Sequence, residues 1–168
     1  MVATLTFGEG NGVGETQTNS LANMNFGSVD GADVDFAANP IDAGTFSFDK
    51  WFYIYVSNMD TSNLVDNFRV AMSGTIDAQT SYFSNLDGTK LNPTYNQPSN
   101  ASKDVLCDQD MTVVLPGTEN LGTSGASSNG LATATTKTDY FLTQLEVSGS
   151  AAPGNLTQKT FHALYDES

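Results

Sequence analysis

Apolar and polar residues alternate in short runs along this chain, and the densest run, Lys50–Val56 (KWFYIYV), contains no glycine or proline. Successive side chains on a strand point to opposite faces, so Trp51, Tyr53 and Tyr55 share one face and Phe52, Ile54 and Val56 the other. Neither face is polar. Such a strand needs cover on both sides, from two protein layers or from one layer and a partner chain, which predicts a central strand of a β-sandwich. Phe46 and Phe48 carry the alternation upstream and move its expected start toward Thr45.

Weaker runs flank it. Val2–Phe7 (VATLTF) reads as an edge strand, and Gly8–Gly14 (GEGNGVG), with four glycines, as a loop or flexible arm. Leu21–Val29 is expected to extend along the core. Phe68, Val70 and Met72 share one face of a strand over Asn67–Met72, and Ser81–Phe83 followed by Asp87-Gly88 suits a hairpin. Met111–Leu115 is a short apolar strand closed by Pro116-Gly117, and Leu131–Thr136 resumes alternation. Tyr140–Val147 reads as half-buried, with Phe141, Leu145 and Val147 inward and Gln144 and Glu146 outward. After a turn at Ala151–Asn155, Thr160–Tyr165 forms the last strand. Two excursions interrupt the series, Leu91–Cys107, rich in Pro, Asn and Ser, and Thr118–Asn129, rich in Gly and Ser. Segments of that length bind something or brace a neighbour.

About eight strands at regular spacing predict an all-β fold, a β-sandwich with a possible jelly-roll-like arrangement. No apolar spacing of three and four supports a long helix, and no repeat is visible. With 168 residues, the chain fits one domain over 1–168, with a flexible Gly-rich N-terminal region over residues 1–20.

Charge narrows the partners. Nineteen acidic residues against six basic ones give −13, so no basic stripe exists to hold a phosphate backbone, and nucleic acid is not an expected partner. An anionic membrane surface is disfavoured for the same reason, and no run reaches the ~20 apolar residues that a spanning helix needs. No secretory signal is read at the start, and synthesis in the cytoplasm is expected. The lone cysteine, Cys107, is expected to be a buried structural thiol.

Candidate chemistry is sparse. Asp30, Asp33 and Asp35 have a spacing that can converge on calcium, but the glutamate that closes a calcium-hand loop is missing, and a solvated acidic turn is the plainer expectation. A phosphate-cradling loop at Gly8–Gly14 is rejected because no strand-to-helix transition follows and Glu9 and Glu15 repel phosphate. The only histidine, His162, lacks a matched acid and hydroxyl in sequence, and no catalytic residue, metal or cofactor is assigned. Interface candidates are Trp51, Tyr53 and Tyr55 on one strand face, the single arginine Arg69, and Tyr95 in the first excursion. If the Trp51 face were open, its rings beside Asn and Asp would suit stacked sugars; otherwise it is core or subunit interface.

Three stretches, Asn23–Asp35 (NMNFGSVDGADVD), Asn39–Met59 (NPIDAGTFSFDKWFYIYVSNM) and Glu119–Ser168, together resemble small β-rich structural proteins encoded in the virion-assembly regions of tailed bacteriophages. The likeness lies in the style of strands, turns and acidic end, and no functional residue carries over. It implies a non-enzymatic virion component, first a capsid decoration (cement) protein on the outside of the head, next a tail or head-fibre part. The implied partner is the major capsid protein or another virion protein. A homotrimer with Tyr53 and Tyr55 near the threefold axis is expected, with Val2–Gly14 or the 91–107 excursion touching the shell. The alternative of another class is a carbohydrate-binding module or adhesin.

Overall fold

The computed structural model of the chain describes residues 2–86, 93–111, 116–123, 130–154 and 156–168. Among these residues there are nine strands and no helix: β1 (Thr4–Asn11), β2 (Thr16–Thr18), β3 (Lys50–Asn58), β4 (Val65–Ser73), β5 (Thr80–Ser84), β6 (Gln109–Asp110), β7 (Thr136–Lys137), β8 (Phe141–Val147) and β9 (Thr160–Glu167). The larger sheet runs β2-β1-β3-β8-β5-β6, with β7 also on β3, and β4 and β9 form the second sheet. Every pair is antiparallel. The fold is an all-β sandwich, and β3 lies at its centre as the Lys50–Val56 pattern predicts.

Side-chain alternation on β3 builds two cores. Phe52, Ile54 and Val56 join Phe141 and meet Val65, Phe68 and Val70 of β4, with Phe161, Ala163 and Tyr165 of β9 packed alongside. Further along this layer Met72, Tyr82, Leu145 and Val147 continue the apolar filling. On the opposite face of the large sheet, Trp51, Tyr53, Tyr140, Leu142 and Cys107 form a separate cluster. Among the described residues no sheet lies over this second core. It is covered by chain segments, Tyr95 among them.

The glycine-rich stretch departs from the expected arm. Gly8 and Gly10 belong to β1 and pair with Tyr53 and Trp51, and only Gly12 to Glu15 form the hairpin turn to β2. Their lack of a side chain has a steric cause: a Cβ on Gly8 would lie 2.3 Å from the Tyr53 ring, and one on Gly10 2.8 Å from the Tyr140 hydroxyl. Nor is β1 a simple edge strand, because β2 pairs with its second half at Glu9–Asn11.

Other expectations shift in detail. Phe46 makes only an isolated bridge to Glu146, so the central strand starts at Lys50 and not near Thr45. Leu21–Val29 carries no strand. Leu131 bridges to Val65, and the ladder resumes only at Thr136. β8 is buried on both faces except at Glu146, because Gln144 is an anchor for the first excursion and not a solvent-facing residue. The Asp87-Gly88 turn, residues 112–115 of the Met111 strand, Leu91, residues 124–129 of the second excursion and Asn155 lie outside the described residues.

Candidate functional site

Three residues of the aromatic face, Trp51, Tyr53 and Tyr55, are expected from the sequence to meet a partner. Trp51 and Tyr53 are both 0% exposed, which removes them as surface anchors, as an open sugar platform and as threefold contacts. Their cover is internal. Tyr95 lies 5.2 Å from Trp51 between ring centroids, while Tyr140 stands edge-on to Trp51 at 5.7 Å and to Tyr53 at 5.5 Å. Tyr95 donates its hydroxyl to the Gly12 carbonyl at 2.7 Å, clamping the excursion onto the hairpin. Asp49 accepts from the Ser99 amide at 2.5 Å and from the Trp51 indole at 2.7 Å. Gln144 donates to the carbonyls of Ser47 and Ser102 and accepts from the Asp104 amide. The described part of the 91–107 excursion is therefore a brace over the second core, with Tyr95 an internal clamp.

Tyr55 is different, for it is half-buried and borders a groove of about 400 Å³. Gln17 and Asn19, at and just beyond β2, form one part of the lining, and Thr135, Thr136 and Lys137 another; Leu131 adds apolar surface. The sheet order explains the meeting, because Tyr55 pairs with Thr6 of β1 on one side and with Lys137 of β7 on the other. Beside the groove Glu15 gathers three donors on one oxygen: Tyr140 at 2.6 Å, Gln17 at 2.9 Å and Lys137 at 3.4 Å. The Tyr140 hydroxyl, the strongest of these influences, holds the Glu15 carboxyl below its ordinary range. Lys137 lies 4.1 Å from the Tyr140 ring centroid and 4.7 Å from that of Tyr53, a cation–π seat, and burial pulls its ammonium pKa down against the pull of Glu15. Burial pushes the Tyr53 phenol up to about 12, and its hydroxyl donates to Asn19 Oδ1 at 2.7 Å.

The remaining candidates resolve into structural roles. Asp30 accepts from Asn11 and from the Gly12 amide, Asp33 from the Asn23 amide, and Asp35 from the amides of Ala37 and Ala38. Asp30 ties its loop to the end of β1 and the turn after it, Asp33 holds the Asn23 backbone and Asp35 caps its own turn, and among the described residues no three His, Cys, Asp or Glu side chains gather as metal ligands. Arg69 pairs with Asp166 at 3.2 Å on the surface. His162 Nε2 is hydrogen-bonded to the Ser73 hydroxyl at 2.6 Å across the β4–β9 ladder, but among the described residues no carboxylate bonds the ring, so the pair lacks the acid that orients a base. Cys107 is fully buried and its thiol pKa is raised by burial, which keeps it protonated and unreactive.

One buried pair escaped sequence reasoning. Lys50 and Glu9 meet at 2.8 Å with side chains 0% and 1% exposed, and Lys50 also donates to the Gly31 carbonyl at 2.7 Å. Burial raises the Glu9 pKa although Lys50 opposes it. The pair pins the 30–31 loop to the sheet, and together with Arg69–Asp166, Lys137–Glu15 and Lys159–Asp77 it engages four of the six basic residues. Lys103 lies over the Phe83 ring. The acidic surface is thus left nearly without free cations among the described residues.

The second sheet has an open side. The Ser168 and Leu64 backbones exchange hydrogen bonds, and Asn120 caps Val70 on the far side of β4. Alternation from these bonds turns the N–H and C=O groups of Phe161, Ala163 and Tyr165 away from β4. Among the described residues no strand pairs with that edge. Comparison with protein-family models, with curated proteins and with solved structures returns no match.

Proposed function

We propose that the chain is a non-enzymatic structural protein of a phage virion, a capsid decoration protein that adheres to the outer surface of the head. The observation that carries this reading is the edge of β9, an eight-residue strand, which pairs with no strand among the described residues on the side away from β4. Long edges are usually blunted by lysine, proline, a bulge or a covering segment. β9 has no lysine or proline, and the one irregularity of this pair falls in β4, between Asp66 and Arg69. An edge left in that state suits strand addition, in which a neighbouring subunit supplies main-chain hydrogen bonds. The net charge of −13 favours a shell protein with a basic surface as the strand donor at this edge over another copy of the chain. It also fits a position where packaged DNA must not be gripped. A homotrimer belongs to the proposal, with contacts other than the buried Trp51 and Tyr53.

The test is co-sedimentation of the purified protein with heads that lack it, alongside its solution mass by light scattering. Ala163→Pro removes one outward N–H and leaves the β4 ladder bonds at Thr160, His162, Leu164 and Asp166 in place. Binding by the wild type and its loss in a folded Ala163→Pro variant is the expected result. Wild-type protein that stays in the supernatant sinks the decoration role, and rings or tubes in solution move the chain to the tail.

A further inference from the structure

The geometry points to a saccharide site in the groove beside Tyr55, with a neutral sugar as its ligand. This goes beyond the virion reading and does not rest on it: Tyr55 packs with the Trp51 cluster, whereas β9 packs with the Phe52 core on the other face of the large sheet.

Sugars present two kinds of surface, C–H patches that lie on aromatic rings and hydroxyls that both give and accept hydrogen bonds. The groove offers both. Tyr55 supplies the ring, only partly buried among its neighbours. Asn19 is already oriented, since Tyr53 holds its side-chain oxygen and Thr6 its carbonyl, at 2.7 and 2.6 Å. Its amide nitrogen has no partner among the described residues and is a fixed donor. Gln17 gives its nitrogen to Glu15 and keeps its oxygen as an acceptor. Thr135 and Thr136 donate their hydroxyl hydrogens to the carbonyls of Ala134 and Thr133, so both oxygens remain free to accept.

Charge selects within the class. Lys137, the only ionic group in the lining among the described residues, is neutralised by Glu15 and enclosed by the Tyr53 and Tyr140 rings. An anionic sugar would enter against the −13 of the whole molecule, with no free cation in the lining among the described residues to meet it. Among the described residues no carboxylate lines the groove to attract a cation. Its volume of about 400 Å³ lies in the range of small-molecule sites. Thr135 adds an independent sign, with φ at 62°. A β-branched residue in the left-handed region is strained, and such strain collects at ligand-holding segments.

The test is a titration of the isotopically labelled full chain, followed by amide chemical shifts, with methyl α-glucoside, methyl α-mannoside, methyl β-galactoside, N-acetylglucosamine and glucuronic acid up to tens of millimolar. At least one neutral sugar should move the amides of Asn19, Tyr55 and Thr135 to Lys137 along a saturable curve. Tyr55→Ala and Asn19→Ala should each weaken that binding by about tenfold, the loss of one stacked ring or one fixed donor, while Tyr55→Phe largely retains it. Asn19→Ala removes the acceptor of the Tyr53 hydroxyl but no core side chain, and it carries the test should Tyr55→Ala fold poorly. The site is refuted by silence at those amides with every neutral sugar, by equal shifts in both alanine variants, or by tighter binding of glucuronic acid. None of these outcomes touches the co-sedimentation result, so the two readings fail separately.

Discussion

Gly8→Ala should be among the most damaging single-methyl changes in the chain. The added Cβ would sit 2.3 Å from Cε2 and 2.4 Å from Cζ of Tyr53, far inside van der Waals contact. Tyr53 has little room to yield, because it is 0% exposed, edge-on to Tyr140, and bonded through its hydroxyl to Asn19. Overpacking a filled core costs about 1–3 kcal/mol. Displacing the ring also breaks the Asn19 bond, worth about 1 kcal/mol, for a total of roughly 2–4 kcal/mol. At about 2–4 °C per kcal/mol for a chain of this size, Tm should fall by roughly 5–15 °C. Gly14→Ala in the same run is the control: nothing lies within 4 Å of its Cβ position, and the change should be neutral or stabilise by about 0.4–1 kcal/mol through the unfolded chain. Urea unfolding of the three proteins at one pH decides the matter. If Gly8→Ala and Gly14→Ala unfold together, the glycines of β1 serve flexibility and the close-approach account is wrong.

Three further outcomes follow from the buried groups. Lys50→Met strands the Glu9 carboxylate and should cost about 3–5 kcal/mol at neutral pH. Because burial raises the folded-state Glu9 pKa, the variant should regain stability as pH falls through that pKa; a denaturant midpoint that ignores pH argues against the assignment. Burial pushes Tyr53 and Tyr82 up to about 12, so the stability held by their neutral phenols is complete below the ordinary tyrosine value near ~10 and is lost as pH rises to about 12. Phenolate absorbance tracked with unfolding across that window reads it, and two tyrosines titrating normally in the folded protein would count against it. Gln144→Ala should cost about 1–3 kcal/mol and speed amide exchange at Asp104, whose N–H it leaves unpaired; unchanged exchange there would show that the brace is held elsewhere.

Much of the framework is legible in the residues themselves. The six residues Trp51–Val56 place both faces of β3 correctly, because burial on two sides leaves no polar position among them. Which cover each face receives is not local information. The lid over Trp51 comes from Tyr95 and is fixed by Gln144, a residue that strand alternation alone assigns to solvent. Lys50 shows the same limit, since a lysine at a strand start reads as exposed until Glu9 is known to lie beside it. The groove is not legible in the sequence for a further reason. Gln17 and Asn19 sit in a polar run with no hydrophobic periodicity, and only the pairing of β1 with both β2 and β3 brings them to Tyr55. The signal available was the hairpin itself: a glycine turn followed by Thr-Gln-Thr-Asn, whose alternate side chains must share a face with the glycines opposite.

The pairing of β1 with β3 has a consequence for how this chain finds its alignment. Hydrophobic alternation resists a shift of one residue but is indifferent to a shift of two, which returns every side chain to its proper face. Here two locks work in opposite senses. Sliding β1 one way would keep Glu9 beside Lys50 but bring Thr6, with its branched side chain, beneath the ring of Tyr53. Sliding it the other way would keep a glycine beneath that ring but carry Glu9 to Ile54, away from its cation. Neither lock alone forbids both slips. Together a glycine and a glutamate, neighbours in sequence, leave one alignment in which the β1–β3 ladder can close.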